Sequence, residues 1–242
     1  DESGAEIQLS EVDSGNDQLR NFKFQNENMA DITITISSAD NTISMSQGNH
    51  YLRLYYYEDQ FYIIGVGGRL YTAPDHPATF GFEGHEDFGS SRGFIWSRSL
   101  PLLKDYLFVG AGPDTFAIVF PQRDYVDKYN YLFANEIILD KPHNMYIQTG
   151  VNTGVISLLA LLTLFAMYGI QSLMLYMNTR SKSDTEIIGI GLLAGNMAYL
   201  VAGIGNDSVV SVAPTFWVLL GVGIAINQIN RGLNKTKKKE AK

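Results

Sequence analysis

The chain has 242 residues, a net charge of −7 and no cysteine, which excludes a disulfide scaffold and thiolate metal sites. Its charge is unevenly distributed: residues 1–150 carry 21 acidic and 10 basic side chains, whereas residues 151–242 carry 4 acidic and 8 basic ones. The mean hydropathy of the whole chain is close to neutral and would suit a soluble protein, but it averages two parts of opposite character.

The N-terminal part is predicted to be an acidic connector followed by a β domain. Residues 1–30 are polar and rich in Gly, Ser, Asn and Asp, which is typical of a loosely structured segment. In residues 31–75 apolar side chains alternate with Thr and Ser, which predicts short antiparallel strands. A small β-sandwich or a curled sheet fits residues 20–75. Its many tyrosines either form a sugar-stacking face or simply cover one side of the sheet.

Residues 76–146 are predicted to form a large outer loop with an amphipathic helix on the membrane surface. Trp96, Leu100 and Leu103 recur at helical spacing, which favours such a helix. Arg92 and Arg98 lie next to it or on it. Guanidinium groups there could bind a phosphate or diphosphate, or the lipid headgroups.

Residues 147–242 are predicted to form three transmembrane helices and a basic tail. Three uncharged runs are long enough to cross a bilayer: Val151–Met177, Ile187–Ile204 and Val209–Ile226. The basic residues lie between the first two runs and after the third, which places both segments in the cytoplasm. The predicted fold is therefore a polytopic α-helical membrane protein of the cell membrane, with residues 1–146 as a β-rich extracytoplasmic insertion and with a cytoplasmic C-terminus.

Two further predictions concern what precedes the chain and its lysine-rich tail. The segment before Val151 has to be translocated, yet the chain starts without Met or a signal-peptide pattern. We therefore expect a removed signal or, preferably, earlier membrane helices of the same protein. The lysine-rich tail is interpreted as a membrane-edge anchor and not as a nucleic-acid patch.

His143 is the most interesting single residue of the outer loop. If a helix begins near Pro142, then His143, Ile147, Gly150 and Gly154 share one face, with the histidine at the mouth of a groove. The alternative is a histidine that only caps the helix. Asp207, in the short loop between the second and third runs, would lie at similar depth or be a solvated carboxylate. The other histidines lack metal-ligand spacing, so no metal and no cofactor is expected.

Several ordered segments resemble the C-terminal half of the O-antigen ligase and polymerase superfamily of bacterial surface polysaccharide enzymes. No single segment is specific, but their order is. They are Ser91–Trp96, Pro101–Lys104, Gly110–Phe116 and Lys141–Tyr146, then Gly150 and Gly154, Asn206–Ser208 and Pro214–Trp217.

The resemblance implies a metal-independent glycosyltransferase, a polysaccharide ligase or polymerase. Such an enzyme transfers a glycan from undecaprenyl diphosphate to a hydroxyl of an acceptor glycan outside the membrane. It further implies that Arg92 neutralises the leaving diphosphate and that His143 is a general base or a diphosphate ligand. Arg98, Asn144 and Asp207 are the expected substrate-binding residues. Because the superfamily has many helices before this loop, the chain is expected to hold only part of the active site, completed by an N-terminal transmembrane part.

Two other functions compete with this one. The tyrosine-rich strands could make the chain a membrane-anchored, extracellular glycan-binding module without catalysis. Half of a transporter is the third possibility, and the lack of charged residues inside the apolar runs argues against it.

Overall fold

The computed structural model describes residues 8–26, 29–73, 76–133, 137–177 and 183–240, and the chain forms two compact units. The first unit combines residues up to 98 with residues 117–139. The second combines residues 99–116 with residues 140–242. The first is built on a β-sheet, and the second is mainly helical.

The sheet is a single antiparallel meander of seven strands in chain order. Its strands are β1 (Leu9–Val12), β2 (Leu19–Phe24), β3 (Ile32–Ser37), β4 (Thr42–Gln47), β5 (His50–Tyr57), β6 (Gln60–Ile64) and β7 (Leu70–Tyr71). The register pairs Ile34 with Met45 and Ile36 with Ile43. Successive side chains of a strand point to opposite faces, so these apolar residues share one face and the intervening Thr and Ser side chains share the other.

The predicted N-terminal boundary of the β domain is wrong. Strands β1 and β2 lie within the residues predicted to be a connector, and β2 pairs with β3 through Phe22 opposite Ile34. The acidic composition of residues 1–30 did not indicate these strands, because a strand near the edge of a sheet needs apolar residues on one face only. Its other side chains can be charged. Residues 1–7 lie outside the described part of the chain.

Helix α1 (Phe88–Ser99) occupies the predicted helical stretch, but it is not amphipathic. Every residue from Gly93 to Arg98 is buried, and Phe94 packs against Phe120 and Tyr131, with ring centroids 6.4 and 6.0 Å away. A Cβ at Gly93 would overlap the backbone of His85, so the helix contacts that segment closely. The stretch Gly93–Arg98 has no exposed face, so the predicted amphipathic helix with one polar side is wrong for this part of the chain.

Among the described residues, six further α-helices follow α1. They are α2 (Phe116–Val119), α3 (Tyr125–Leu132), α4 (Met145–Thr153), α5 (Val155–Tyr176), α6 (Asp184–Ala202) and α7 (Ala213–Glu240). Of the described helices, α5 and α6 are long and apolar enough to cross a membrane. The third crossing stays a prediction, because α7 begins at Ala213, inside the third apolar run, and continues into the polar tail. Arg180 and Lys182, on which the predicted orientation partly depends, lie outside the described residues.

Helices α5, α6 and α7 pack through an apolar cluster and a polar seam. The cluster contains Phe165, Tyr168, Leu200, Phe216 and Leu220, together with Met145 of α4. In the seam, the Tyr176 hydroxyl donates to Asn227 at 2.6 Å, and the Asn227 amide donates to Ser172 at 2.7 Å. Such side-chain hydrogen bonds between apolar helices fix which faces meet.

The first apolar run is not one continuous helix, because the chain breaks at Gly154 between α4 and α5. Gly154 has φ +99°, a conformation that favours glycine. The segment 106–112 lies along the break and forms hydrogen bonds with the backbone N–H and carbonyl groups on both sides of it. Ala111 and Gly112 donate to the carbonyls of Val151 and Asn152, and the N–H groups of Val155 and Ile156 donate to Tyr106 and Leu107. Irregular backbone near a membrane is stable only where protein groups satisfy it in this way.

Replacement of Gly110 tests this contact. A Cβ at Gly110 would overlap the Asn152 carbonyl group, so we expect Gly110→Ala to lower the free energy of unfolding by about 1–3 kcal/mol. The measurement is the unfolding midpoint of the full-length protein purified in detergent. The matched control is Gly191→Ala on α6, where a Cβ meets no atom within 4 Å. Equal midpoints for the two variants would contradict the packing described here.

Candidate functional site

His143 and Asp207 form a hydrogen-bonded pair in the helical unit. The His143 Nδ1 and the Asp207 Oδ2 atoms are 2.9 Å apart. The imidazole side chain is 45% exposed, whereas the carboxylate beneath it is only 6% exposed. His143 itself has φ +50°, a strained conformation for a residue with a Cβ. The chain is thus held in a costly conformation that directs an accessible imidazole onto a buried carboxylate.

His143 does not lie on helix α4, so the predicted face shared with Ile147, Gly150 and Gly154 is wrong. The helix begins at Met145, with Asn144 as its N-cap. The Asn144 Oδ1 atom accepts from the N–H groups of Tyr146 and Ile147 at 2.9 and 3.0 Å. The helix starts after this Asn cap, because the Asn side chain accepts from the first N–H groups that have no partner within the helix. The residue before the cap can then adopt a non-helical conformation.

Four further hydrogen bonds hold the start of α4 to the chain between Leu200 and Ser208. The Asn144 side-chain amide donates to the Ile204 carbonyl, and the Met145 N–H donates to the Gly203 carbonyl, both at 2.8 Å. The other two bonds join the Tyr146 hydroxyl to the Leu200 carbonyl at 2.7 Å and the Ser208 N–H to the Gln148 side-chain oxygen at 2.9 Å. We call this contact the α4 latch; it holds the loop that carries Asp207 beside His143.

The geometry defines what the pair can do chemically. An ionised carboxylate only accepts hydrogen bonds, so the His143 Nδ1 atom donates to Asp207 and the lone pair of the neutral ring lies on Nε2. A histidine held in one tautomer by a buried carboxylate is the arrangement that general bases use. The Asp207 Oδ1 atom is also buried and has no hydrogen-bond partner among the described residues. The pair is therefore equipped to take a proton at Nε2.

Arg92 lies near the start of α1 in the first unit. The three residues before it, Gly89, Ser90 and Ser91, all have positive φ. One guanidinium nitrogen of Arg92 donates to the Gly89 carbonyl at 2.6 Å, and the side chain is partly exposed. An accessible guanidinium is compatible with binding of an anion, so the predicted role of Arg92 stays a prediction.

Arg98 has a different environment from the one predicted. It is 3% exposed, its Nε atom donates to Asp124 at 2.9 Å, and another nitrogen donates to Asp127. Its guanidinium carbon also lies 4.4 Å from the centre of the Phe94 ring. Two carboxylates neutralise this cation inside the first unit. Arg98 is therefore a structural residue in this conformation and is not accessible to a diphosphate.

The other two predicted substrate ligands are engaged within the α4 latch. The amide of Asn144 is buried, and its hydrogen bonds go to the backbone at both ends of the latch. The Asp207 carboxylate contacts the His143 ring, so its predicted role as a substrate ligand stays a prediction. Gln148 was not predicted from the sequence, although an amide side chain in a short helix next to an apolar run indicates a possible hydrogen-bond partner for a neighbouring loop. Among the described residues, no three His, Asp or Glu side chains come together as a metal site would require.

Lys128 is a second buried charge near Arg98. Its side chain is fully buried, and the ammonium group donates to Gln122 at 3.0 Å and to the Ile137 carbonyl at 2.8 Å. Burial lowers the pKa of Lys128 from 10.5 to about 8, although the neighbouring Asp124 opposes the shift. Burial also raises the pKa of Asp124, against the effect of Arg98. These charges connect α1, α3 and the loops that flank α3.

The comparison with protein families identifies the class. The family model described as O-antigen ligase matches residues 29–162, more than half of the chain, and this stretch includes Arg92, Arg98, His143 and Asn144. The matched stretch begins and ends earlier in the chain than the set of segments from Ser91 to Trp217 that resemble the superfamily. Comparisons with curated proteins and with solved structures give no match. The chain belongs to the O-antigen ligase family, a membrane-associated family of glycosyltransferase-like enzymes in surface polysaccharide assembly.

Substitution of Arg98 distinguishes a structural from a substrate-binding role. Arg98→Met removes the cation that is hydrogen-bonded to the buried Asp124, so we expect the free energy of unfolding to fall by about 3–5 kcal/mol. The control is Arg20→Met, which breaks the exposed ion pair with Glu11 and should change little. Both are measured by thermal unfolding in detergent. Unchanged stability with loss of glycan product would show instead that Arg98 acts on the substrate.

Lys128 predicts a defined dependence of stability on pH. Between about pH 8 and 10.5 the unfolded chain binds a proton at Lys128 that the folded chain has released, so stability increases with pH in this window. Relative to Lys128→Met, the wild type should gain up to about 3 kcal/mol across it. The measurement is the difference between their unfolding midpoints from pH 7 to 10. Lys23→Met, at an exposed strand position, serves as the control, because the difference between its unfolding midpoint and that of the wild type should not change with pH. A difference that changes with pH as much as it does for Lys128→Met would refute the assignment.

Proposed function

We propose that the protein transfers a glycan from an undecaprenyl diphosphate carrier to a hydroxyl of an acceptor glycan outside the membrane, with His143 as general base. The observation that carries this proposal is the His143–Asp207 pair, in which an accessible imidazole is oriented by a buried carboxylate. The family supports glycan ligation or polymerisation. The carrier, the acceptor and the roles of individual residues are the proposed parts.

The proposed reaction is a direct displacement at the anomeric carbon. The acceptor hydroxyl oxygen forms the new glycosidic bond, while the bond to the diphosphate oxygen breaks and its electron pair leaves with the diphosphate. His143 Nε2 takes the proton of the hydroxyl, and the resulting imidazolium is stabilised by Asp207. Arg92 neutralises the charge that develops on the diphosphate. Such a displacement inverts the anomeric configuration, and the residues assigned to it act without a metal or cofactor.

His143 could also bind the diphosphate instead of acting as base. A carboxylate at hydrogen-bond distance, 2.9 Å from Nδ1, favours the base, because it stabilises the imidazolium that proton transfer produces. A diphosphate ligand would bring a second anion to the same ring. We therefore assign His143 as the base and leave anion binding to Arg92.

The His143–Asp207 contact also supports a multi-pass arrangement. His143 precedes α4 and α5, and Asp207 follows α6, so the two residues lie on the same side of a membrane if α5 and α6 each cross it once. We propose that this side is extracytoplasmic, together with residues 1–146, that α7 forms a third crossing, and that the C-terminus is cytoplasmic. In this arrangement further transmembrane helices of the same protein complete the active site.

A second candidate is an anchored glycan-binding module without catalysis. The exposed aromatic residues of the sheet favour it, since Tyr56, Tyr57 and Phe61 are 41%, 50% and 52% exposed. Binding without catalysis does not require a histidine paired with a buried carboxylate. The two functions therefore differ in their dependence on His143.

Substitution of His143 decides between these functions. In a strain that lacks the gene and is complemented with the full-length protein, we expect His143→Ala to lower formation of high-mass glycan by about 10²–10⁴-fold, the usual contribution of a general base. Undecaprenyl-linked oligosaccharide should accumulate. Asp207→Asn should also reduce product, because an amide no longer stabilises the imidazolium or enforces the tautomer.

The control for this experiment is His76→Ala, at an exposed histidine of the first unit. Membrane levels of all variants are compared by immunoblot, and the anomeric configuration of the new linkage is determined on the wild-type product. Normal polysaccharide from His143→Ala at a normal membrane level would remove this residue from the site and favour the binding module. Retention of configuration would refute the direct displacement.

A further inference from the structure

A groove of about 500 Å³ lies at one end of the sheet, between the tips of two neighbouring hairpins. One wall comes from the β3–β4 hairpin and the other from the β5–β6 hairpin. The hairpins are joined there by a backbone hydrogen bond of 2.9 Å from Tyr56 N–H to the Asn41 carbonyl. The residues that line the groove are Ile36, Ser37, Ser38, Asn41, Thr42, Ile43, Tyr56, Asp59 and Phe61.

The groove has an aromatic wall. The rings of Tyr56 and Phe61 lie 5.0 Å apart at an angle of 44°, and both are exposed. They are cross-strand partners, so they stand side by side on one face of the sheet. The two neighbouring rings form a contiguous apolar surface open to solvent, which is a feature of ligand-binding surfaces.

The polar rim of the groove is fixed next to the aromatic wall. The Tyr56 hydroxyl donates to the Asp59 carboxylate at 2.8 Å, and the Thr42 hydroxyl donates to Asp40 at 2.8 Å. Glu58 and Asp59 both have positive φ, so the β5–β6 turn holds two non-glycine residues in the left-handed region. This turn directs a carboxylate to the edge of an aromatic ring.

The charges at the rim restrict the occupant. The lining includes the carboxylate of Asp59 and no Lys or Arg. Hydrogen bonds from Ser37 and then Thr42 lower the pKa of the adjacent Asp40, which keeps it ionised. A negative rim repels anionic lipid headgroups and phosphate-containing polymers. It suits a ligand with apolar faces and many hydroxyl donors but no negative charge.

We propose that this groove is a binding site for a neutral glycan, distinct from the His143 site, and that it holds the acceptor polysaccharide. An apolar face of a sugar ring stacks on Tyr56 and Phe61, and sugar hydroxyls donate to Asp59 and bind the Asn41 side chain. Its assignment as the acceptor rests on the proposed function, whereas glycan binding itself does not. An enzyme that extends a polymer gains from a second contact with the same chain, because tethering raises the effective concentration of the acceptor end.

The test is direct binding of surface polysaccharide to the full-length protein in detergent. The polysaccharide is purified from the producing cells, freed of lipid and separated by charge into neutral and anionic fractions. We expect the neutral fraction to bind and Tyr56→Ala to weaken binding about tenfold, as expected for loss of one aromatic platform. The matched control is Tyr57→Ala, because Tyr57 is exposed on the opposite face of the same strand and stacks on Tyr55.

Further variants keep the result interpretable. Phe61→Ala removes the other ring from a neighbouring strand and should weaken binding similarly. Tyr56→Phe, which retains the ring but not its bond to Asp59, should bind more tightly than Tyr56→Ala. The proposal is overturned if the neutral fraction does not bind, if Tyr56→Ala and Tyr57→Ala bind alike, or if binding is confined to anionic polymer or to vesicles of anionic lipid. Dimer formation that Tyr56→Ala abolishes, without glycan binding, would assign the groove to a second copy of the chain.

The same protein preparations separate this proposal from the catalytic one. His143→Ala should bind the neutral glycan as the wild type does, since His143 belongs to the other unit. Normal binding together with normal polysaccharide from His143→Ala in cells would retain the groove and refute catalysis by His143. Absent binding together with loss of product from His143→Ala would refute the groove and retain the catalytic proposal.

Discussion

The α4 latch is the contact on which the candidate site depends. One side chain, Asn144, caps α4 and also donates to the carbonyl of Ile204, so the same residue fixes the start of the helix and attaches it to the end of α6 and the loop that follows. An N-cap of this kind contributes about 0.5–2 kcal/mol to helix stability. The remaining bonds of the latch align the loop so that Asp207 meets His143. The strained φ of His143 is maintained because both neighbouring segments are held in place.

The segment 106–112 supports the same region from the other end of α4. It supplies donors to the last carbonyls of α4 and acceptors to the first N–H groups of α5, so the break at Gly154 leaves these backbone groups satisfied. The break separates the short helix α4, which begins next to His143, from the long apolar helix α5. Close backbone approach requires glycine at Gly110 and Gly154, which explains two of the glycines in the segments that resemble the ligase superfamily.

The first unit contains a group of buried charged side chains. Arg98, Asp124 and Lys128 are each at most 3% exposed, and hydrogen bonds inside the unit take the place of solvent. A buried arginine between two carboxylates stabilises α1 against α3 only as long as all partners are present. Arg92, six residues earlier, donates to the Gly89 carbonyl and is partly exposed. Two arginines on one short segment thus have different environments, and burial is what distinguishes them.

The sequence alone determined the alternation of strands 3 to 6, the apolar runs of α5 and α6, and the family, and it predicted His143 and Asp207 only as separate candidate residues. These follow from local periodicity, composition and ordered motifs. Tertiary structure decided the rest. The pairing of His143 with Asp207 joins residues 64 positions apart, the break at Gly154 depends on a segment more than 40 residues earlier, and the burial of Arg98 depends on Asp124. No local pattern encodes such contacts, because each depends on which distant backbone groups and charges the folded chain brings within hydrogen-bond distance.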